Sequence, residues 1–244
     1  MNSKGNDNLI NLAHRGASAY APENTLAAFY KAVELRADGI ELDLRSTRDG
    51  KIVIFHDPEI SRTTNGRGKV RDYNLEDLLE FDAGSWFSDI YKGERIVEFE
   101  SFLFYFARRD LHFAIELKDD GLQEKVSFLI KKYDIQDRTT ISSFNIRYLT
   151  KTKEVLNGVL YAWMVRRFNM KIINLAKEAG IDQICPPAPT VDSNVVDCLR
   201  NNGFEHVRVW KVKDITLMKK MIDIGVNSMT VNWPDLLNIE LGRV

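Results

Sequence analysis

The feature that most constrains this chain is a regular alternation of strand-like and helix-like stretches. The strand-like runs are Ile10–Ala13, Gly39–Leu44, Phe113–Leu117, Thr139–Ser143, Val159–Met164, Ile181–Cys185, Val207–Trp210 and Val226–Val231. Helical periods follow at Leu26–Leu35, Leu122–Tyr133, Ile146–Leu156, Met170–Ala179, Asn194–Asn201 and Ile215–Ile224. Strands separated by helices pair in parallel, and eight of them predict a closed (β/α)8 TIM barrel of the α/β class. Glycines at 180 and 225 stand where helix C-termini need a left-handed residue. At 244 residues the chain suits one such barrel spanning 1–244, with no linker or repeat to divide it.

The second strand carries an anomaly. Glu41 and Asp43 are two apart, so they share one face, while Ile40, Leu42 and Leu44 share the other. Two carboxylates on an otherwise apolar strand are costly unless protonation or a cation relieves them. Glu116 and Lys118 repeat the spacing on the next barrel strand. His14 and Arg15 end the first strand, and His56 follows an added hairpin arm, Lys51–Phe55. Barrel active sites gather at the C-terminal ends of strands, where all of these residues fall. Oxygen-only donors at Glu41, Asp43 and Glu116 suit Mg²⁺ or Ca²⁺ better than zinc. Arg15 can grip two phosphate oxygens, Lys118 can neutralise charge, and imidazoles at His14 and His56 have the pKa to act as acid and base. The other histidines, His112 and His206, precede their strands at the opposite barrel end and read as structural.

From Pro58 to about Glu98 there is no long helical period, and turn residues and aromatics are frequent. A connection this long predicts a small inserted subdomain, 58–98, after the second strand, with its own aromatic core. Pro22 and Glu23 read as the first turn of the first helix, and the Asn24 amide could reach the site.

Taken in order, Leu12-Ala13-His14-Arg15-Gly16, Pro22-Glu23-Asn24-Thr25, Glu41-Leu42-Asp43 and His56-Asp57 resemble the hallmark motifs of the glycerophosphodiester phosphodiesterase family. The likeness extends to Arg62-Thr63-Thr64-Asn65-Gly66, Asp82-Ala83-Gly84-Ser85-Trp86-Phe87, Ala114-Ile115-Glu116-Leu117-Lys118 and Ser142-Ser143-Phe144-Asn145. It implies metal-dependent hydrolysis of glycerophosphodiesters, such as glycerophosphocholine and glycerophosphoethanolamine, to glycerol 3-phosphate and an alcohol. It further implies that His14 and His56 divide the base and acid roles, with His14 favoured as base. It places the aromatics Phe144 and Trp210 around the substrate pocket and has the insertion shape the pocket mouth. Lys211 stands where the family usually has threonine and Met229 where a small residue is common, which bears on substrate preference. The alternatives are a lysophospholipase D acting on lipid substrates with the same site, and a catalytically silent barrel that only binds phosphate ligands.

Lys and Arg total 34 against 35 Asp and Glu, a net charge of −1 that gives no argument for a nucleic-acid partner. Two cysteines without metal-ligand spacing predict reduced thiols, and no apolar run of ~20 residues predicts a membrane anchor. The polar start, residues 1–8, lacks the apolar run of a secretory signal. Together these predict a cytoplasmic enzyme, monomer or homodimer, with a small-molecule substrate.

Overall fold

The computed structural model describes residues 9–243, so the polar start of the chain lies outside the described residues. The strands are β1 Ile10–His14, β2 Gly39–Ser46, β3 Ile52–Ile54, β4 Val97–Glu98, β5 His112–Leu117, β6 Thr139–Ser143, β7 Leu160–Met164, β8 Gln183–Cys185, β9 Arg208–Val209 and β10 Ser228–Val231. Between them lie the helices α1 Leu26–Glu34, α2 Leu75–Leu79, α3 Phe99–Phe106, α4 Gln123–Lys132, α5 Ile146–Val155, α6 Met170–Glu178, α7 Ser193–Asn201, α8 Ile215–Asp223 and α9 Pro234–Glu240.

Eight strands form the barrel in the order β8-β7-β6-β5-β2-β1-β10-β9, all neighbours parallel. The ring closes between β8 and β9 just beyond their ends. There Pro187 bridges Trp210 in parallel, and the Ala188 N–H donates to the Trp210 carbonyl at 2.9 Å. The expected barrel is therefore the observed one.

Alternation sets the layers. On β2, Ile40, Leu42 and Leu44 are fully buried and join Phe29, Phe102, Phe106 and Phe113 in the main core, while Glu41 and Asp43 take the other face, toward the barrel interior. Asn145, Asn169, Asp192 and Asp214 cap α5 to α8 by accepting from backbone N–H groups of the first turn. Gly180 and Gly225 take positive φ after α6 and α8, as the sequence predicts.

Two helices escape the sequence pattern. Phe99–Phe106, FESFLFYF, is so rich in aromatics that the apolar period is masked, yet Phe99, Phe102, Leu103 and Phe106 all point inward and α3 covers the step from β2 to β5. Pro234–Glu240 closes the chain against β1 through Asn238 and Asn11, whose side chains share a 3.0 Å hydrogen bond. The first helix starts at Leu26, as its period predicts, but Pro22 and Glu23 precede it rather than forming its first turn. Thr25 is its N-cap, and Pro22 lies before it with its carbonyl accepting the Thr25 hydroxyl at 2.7 Å.

Between β3 and β4 the chain packs a separate apolar cluster of Val53, Phe55, Ile60, Val70, Leu78, Ala83 and Ile96. This core is mainly aliphatic, against the aromatic one expected. Trp86, Phe87 and Tyr91 instead form an edge-to-face chain near the surface, and the Tyr91 hydroxyl reaches the Tyr20 carbonyl.

Gly16 makes the turn out of β1 possible. Its φ is +80°, and a Cβ there would sit 2.5 Å from the backbone carbon of Ala28. Gly16→Ala therefore meets both a disfavoured dihedral and a backbone wall. It is expected to destabilise the fold by more than about 1 kcal/mol, read as a lower thermal midpoint.

Candidate active site

The site follows from two strand registers. β1 and β2 pair with His14 opposite Glu41, and β2 and β5 pair with Asp43 opposite Glu116. Paired residues in parallel strands share a face, so one imidazole and three carboxylates converge at the C-terminal mouth. Carboxylate oxygens of Glu41, Asp43 and Glu116 all lie within 4.8 Å of one another.

Two cations are threaded into this cluster. Lys118 Nζ lies 2.7 Å from Glu116 Oε1 and 3.0 Å from Asp43 Oδ1. Arg15 Nε is 3.2 Å from Asp43 Oδ2, and its Nη1 donates to Glu23 at 2.8 Å. The Arg15 backbone N–H also donates to Glu41 Oε2 at 3.1 Å. Asn24 donates its amide to Asp43 Oδ2 at 2.9 Å, and its Oδ1 is buried without a partner. Arg15 and Asn24 both hold left-handed backbone, φ 57° and 58°, an uncommon conformation for non-glycine residues that clusters at functional sites.

The carboxylates are not equivalent. Burial opposes ionisation of Asp43, yet the Lys118 ammonium and the Arg15 guanidinium hold it well below the usual carboxylate range. On Glu41 the same cations are outweighed: burial, with the Asp43 charge added, pushes it up to about 8. Its one partner at ion-pair range among the described residues is the His14 imidazole, with Nε2 at 4.0 Å, and burial keeps that ring neutral. Burial likewise raises Glu116, against the pull of Lys118. An acid cluster in which one member is left to hold a proton, beside an orphaned amide oxygen, fits a hard divalent cation bound by oxygen donors.

The histidines are held differently. His14 Nδ1 lies 2.7 Å from Asn232 Oδ1, so Nδ1 carries the proton and Nε2 keeps its lone pair. Burial, and then the Arg15 charge, lower His14 to about 4, overriding the Asn232 bond. His56 Nδ1 bonds Asp57 Oδ1 at 2.6 Å, and Asp57 is held in turn by Arg62. Burial lowers His56, with Arg15 and Lys118 adding to it, while Asp43 and Asp57 favour its charged form. Arg62 also grips Glu23 at 2.7 and 2.9 Å, tying the segment after His56 to the loop that holds Arg15.

A cavity of about 490 Å³ opens beside this cluster, lined by His56, Glu116, Lys118, Phe144, Arg166 and Trp210 among others. Phe144 and Trp210 meet edge to face at 5.1 Å and form its aromatic wall, and the Arg166 guanidinium lies 4.8 Å from the Phe144 ring centre. Of the residues the sequence singled out, His56, Glu116, Lys118, Phe144 and Trp210 line this cavity, while His14, Arg15, Glu41 and Asp43 join it through the carboxylate cluster. Glu23, Asp57, Arg62 and Asn232 were not foreseen as its members. Glu23 and Asp57 sit inside the quoted motifs, and Asn232 follows β10 at the strand-end position that flags the others.

Two cations, three carboxylates and two imidazoles with different partners, gathered at the mouth of a parallel barrel, suit a hydrolase of the phosphate-ester class. Comparison with known proteins narrows the class. The model of the Glycerophosphoryl diester phosphodiesterase family matches residues 14–236, and the chain belongs to that family. A glycerophosphodiester phosphodiesterase of Caldanaerobacter subterraneus is 34% identical over 231 residues, covering 93% of this chain and 95% of its own. One from Bacillus subtilis is 31% identical, covering 97% and 89%. Among solved structures, an Oleispira antarctica phosphodiesterase in complex with the product sn-glycerol-3-phosphate superposes with a TM-score of 0.86 at 25% identity, covering 95% and 96% of the two chains.

Proposed function

We propose that this protein hydrolyses soluble glycerophosphodiesters, glycerophosphocholine and glycerophosphoethanolamine among them, to sn-glycerol 3-phosphate and the free alcohol. The observation that carries the reading is the different hydrogen bonding of the two imidazoles, His14 on Asn232 and His56 on Asp57, beside a guanidinium, an ammonium and three carboxylates. The product seen in the Oleispira relative supports the same reaction.

In this mechanism Arg15 and Lys118 hold the phosphodiester and orient its phosphorus toward His14. The Nε2 lone pair of His14 takes the proton of the attacking hydroxyl as the new P–O bond forms. The P–O bond to the departing alcohol breaks, and the Nε2–H of protonated His56 supplies the proton that alcohol needs. Asp57 holds the His56 ring and favours its charged form. Glu41, Asp43 and Glu116, with Asn24 beside them, would hold Ca²⁺ or Mg²⁺. A bound divalent ion supplies Lewis-acid stabilisation of charge on the phosphoryl oxygens. Phe144 and Trp210 wall the pocket for the leaving group. Residues 58–98 serve as the inserted subdomain, fixing the His56 side of the mouth through Arg62. With its free thiols, Cys185 and Cys198, the protein suits a reducing, cytoplasmic setting.

The test is release of glycerol 3-phosphate from glycerophosphocholine, with and without chelator. Release that needs Ca²⁺ or Mg²⁺ is the expected result. Turnover of lysophosphatidylcholine but not of the soluble diester would move the substrate to lipids, and no turnover of either by folded, metal-loaded protein would leave a binding barrel.

A further inference from the structure

The opposite end of the barrel contains a second polar chamber that the chemistry above does not use. Arg208 of β9 and Gln183 of β8 line a cavity of about 130 Å³, together with His112, His206 and Arg138. Arg208 is only 2% exposed, yet its Nε and Nη1 have no hydrogen-bond partner. Its remaining contacts are to sulfur, with Nη2 3.3 Å from Met164 Sδ and the buried Cys185 thiol also bonded to the guanidinium. Gln183, 3% exposed, leaves its Oε1 unpartnered as well.

No carboxylate among the described residues forms an ion pair with Arg208. A buried guanidinium without a counter-charge is costly, and water can bond its N–H groups but cannot neutralise it. The surroundings add no negative charge at close range. His206 bonds Ser228 Oγ through Nε2 at 3.1 Å, and Arg138 directs its guanidinium at the carbonyls of Ala107, Arg109 and Leu111. Asp137, the acid on the rim, is exposed. The cavity has room for several waters, enough for a halide with its hydration or for a tetrahedral oxyanion. Met164 and Cys185 pack with Phe144 and Trp210, so an apolar layer separates this chamber from the catalytic pocket.

We propose that the N-terminal end of the barrel is a binding site for a small inorganic anion, seated against the Arg208 guanidinium. The Gln183 amide, turned over, would present its NH₂ to the same ion.

Crystals of the wild-type protein soaked in bromide are expected to show an anomalous peak in this cavity within hydrogen-bonding reach of the Arg208 guanidinium. In solution, with chelator present, bromide or inorganic phosphate is expected to raise the thermal midpoint by about 2–4 °C. That rise should persist in Lys118→Met and vanish in Arg208→Leu, and the arm that responds names the anion. Water alone in the chamber in both the bromide and a phosphate soak would overturn the proposal. So would a rise that survives Arg208→Leu and vanishes in Lys118→Met, which would place the ion in the catalytic pocket. The wild-type soaks decide the matter even if Arg208→Leu does not fold.

Discussion

Alanine at His14 or at His56 is expected to lower glycerol 3-phosphate release by ~100-fold or more, the usual scale for losing a general acid or base. The two losses should differ in kind. His14 offers a free Nε2 lone pair because Asn232 accepts from Nδ1, and its lowered pKa of about 4 keeps the ring neutral through the physiological range, as a base requires. His56 is lowered too, chiefly by burial, but the Asp57 carboxylate on its Nδ1 offsets part of that and favours the charged form an acid needs. A nitrophenol departs without help from a proton. On a nitrophenyl diester of glycerol phosphate, His56→Ala should therefore recover to within ~tenfold of wild type, whereas His14→Ala should stay at its full deficit. Equal recovery of both variants, or of His14→Ala alone, would reverse or dissolve the assignment. Circular dichroism of each variant guards against a trivial loss of fold.

The barrel was legible because its signal is periodic: each strand is short, apolar and followed by an amphipathic run ending in glycine or a polar cap. Phe99–Phe106 was not legible for the converse reason. With six of its eight residues aromatic or leucine, no polar face marks the helix. At the site, the residue types on β1, β2 and β5 could be read because a carboxylate on an apolar strand demands an explanation. Their pairing could not, since whether His14 faces Glu41 and Asp43 faces Glu116 depends on strand register, which the sequence pattern leaves open by whole steps. The same holds for hydrogen bonds across long separations. Asn232 reaches His14 over 218 positions, and Glu23 meets Arg62 over 39, because barrel closure and the loop after His56 bring them there.

Glu41 gives the second large effect, a proton expelled when the metal enters. In metal-free protein its pKa lies at about 8, so near neutrality the side chain is mostly protonated. Coordination requires the carboxylate, and metal binding at pH 7 should therefore release close to one proton per ion. Calorimetry in buffers of different ionisation enthalpy would count it, and apparent affinity should rise by up to ~tenfold per pH unit until about 8. Stability carries the same signature. The unfolded chain loses this proton near ~4.3 while the folded chain keeps it, so the folded state binds more protons in between and its stability falls as pH rises. Below ~6.5 the lowered histidines oppose that slope, because His14 and His206 stay neutral in the fold where the unfolded chain is charged. Asp43, held low, contributes stability that is lost only in acid. Between about 7 and 8 the raised carboxylates, Glu41 with Glu116 beside it, should set the slope, Glu41 contributing at most ~1.4 kcal/mol per pH unit. Saturating metal should flatten it, and Glu41→Gln should flatten it without metal while weakening metal binding. A chelated wild type whose melting temperature is level across that window, with no proton released on metal addition, would show that Glu41 is already ionised and that Lys118 and Arg15 suffice to balance all three carboxylates.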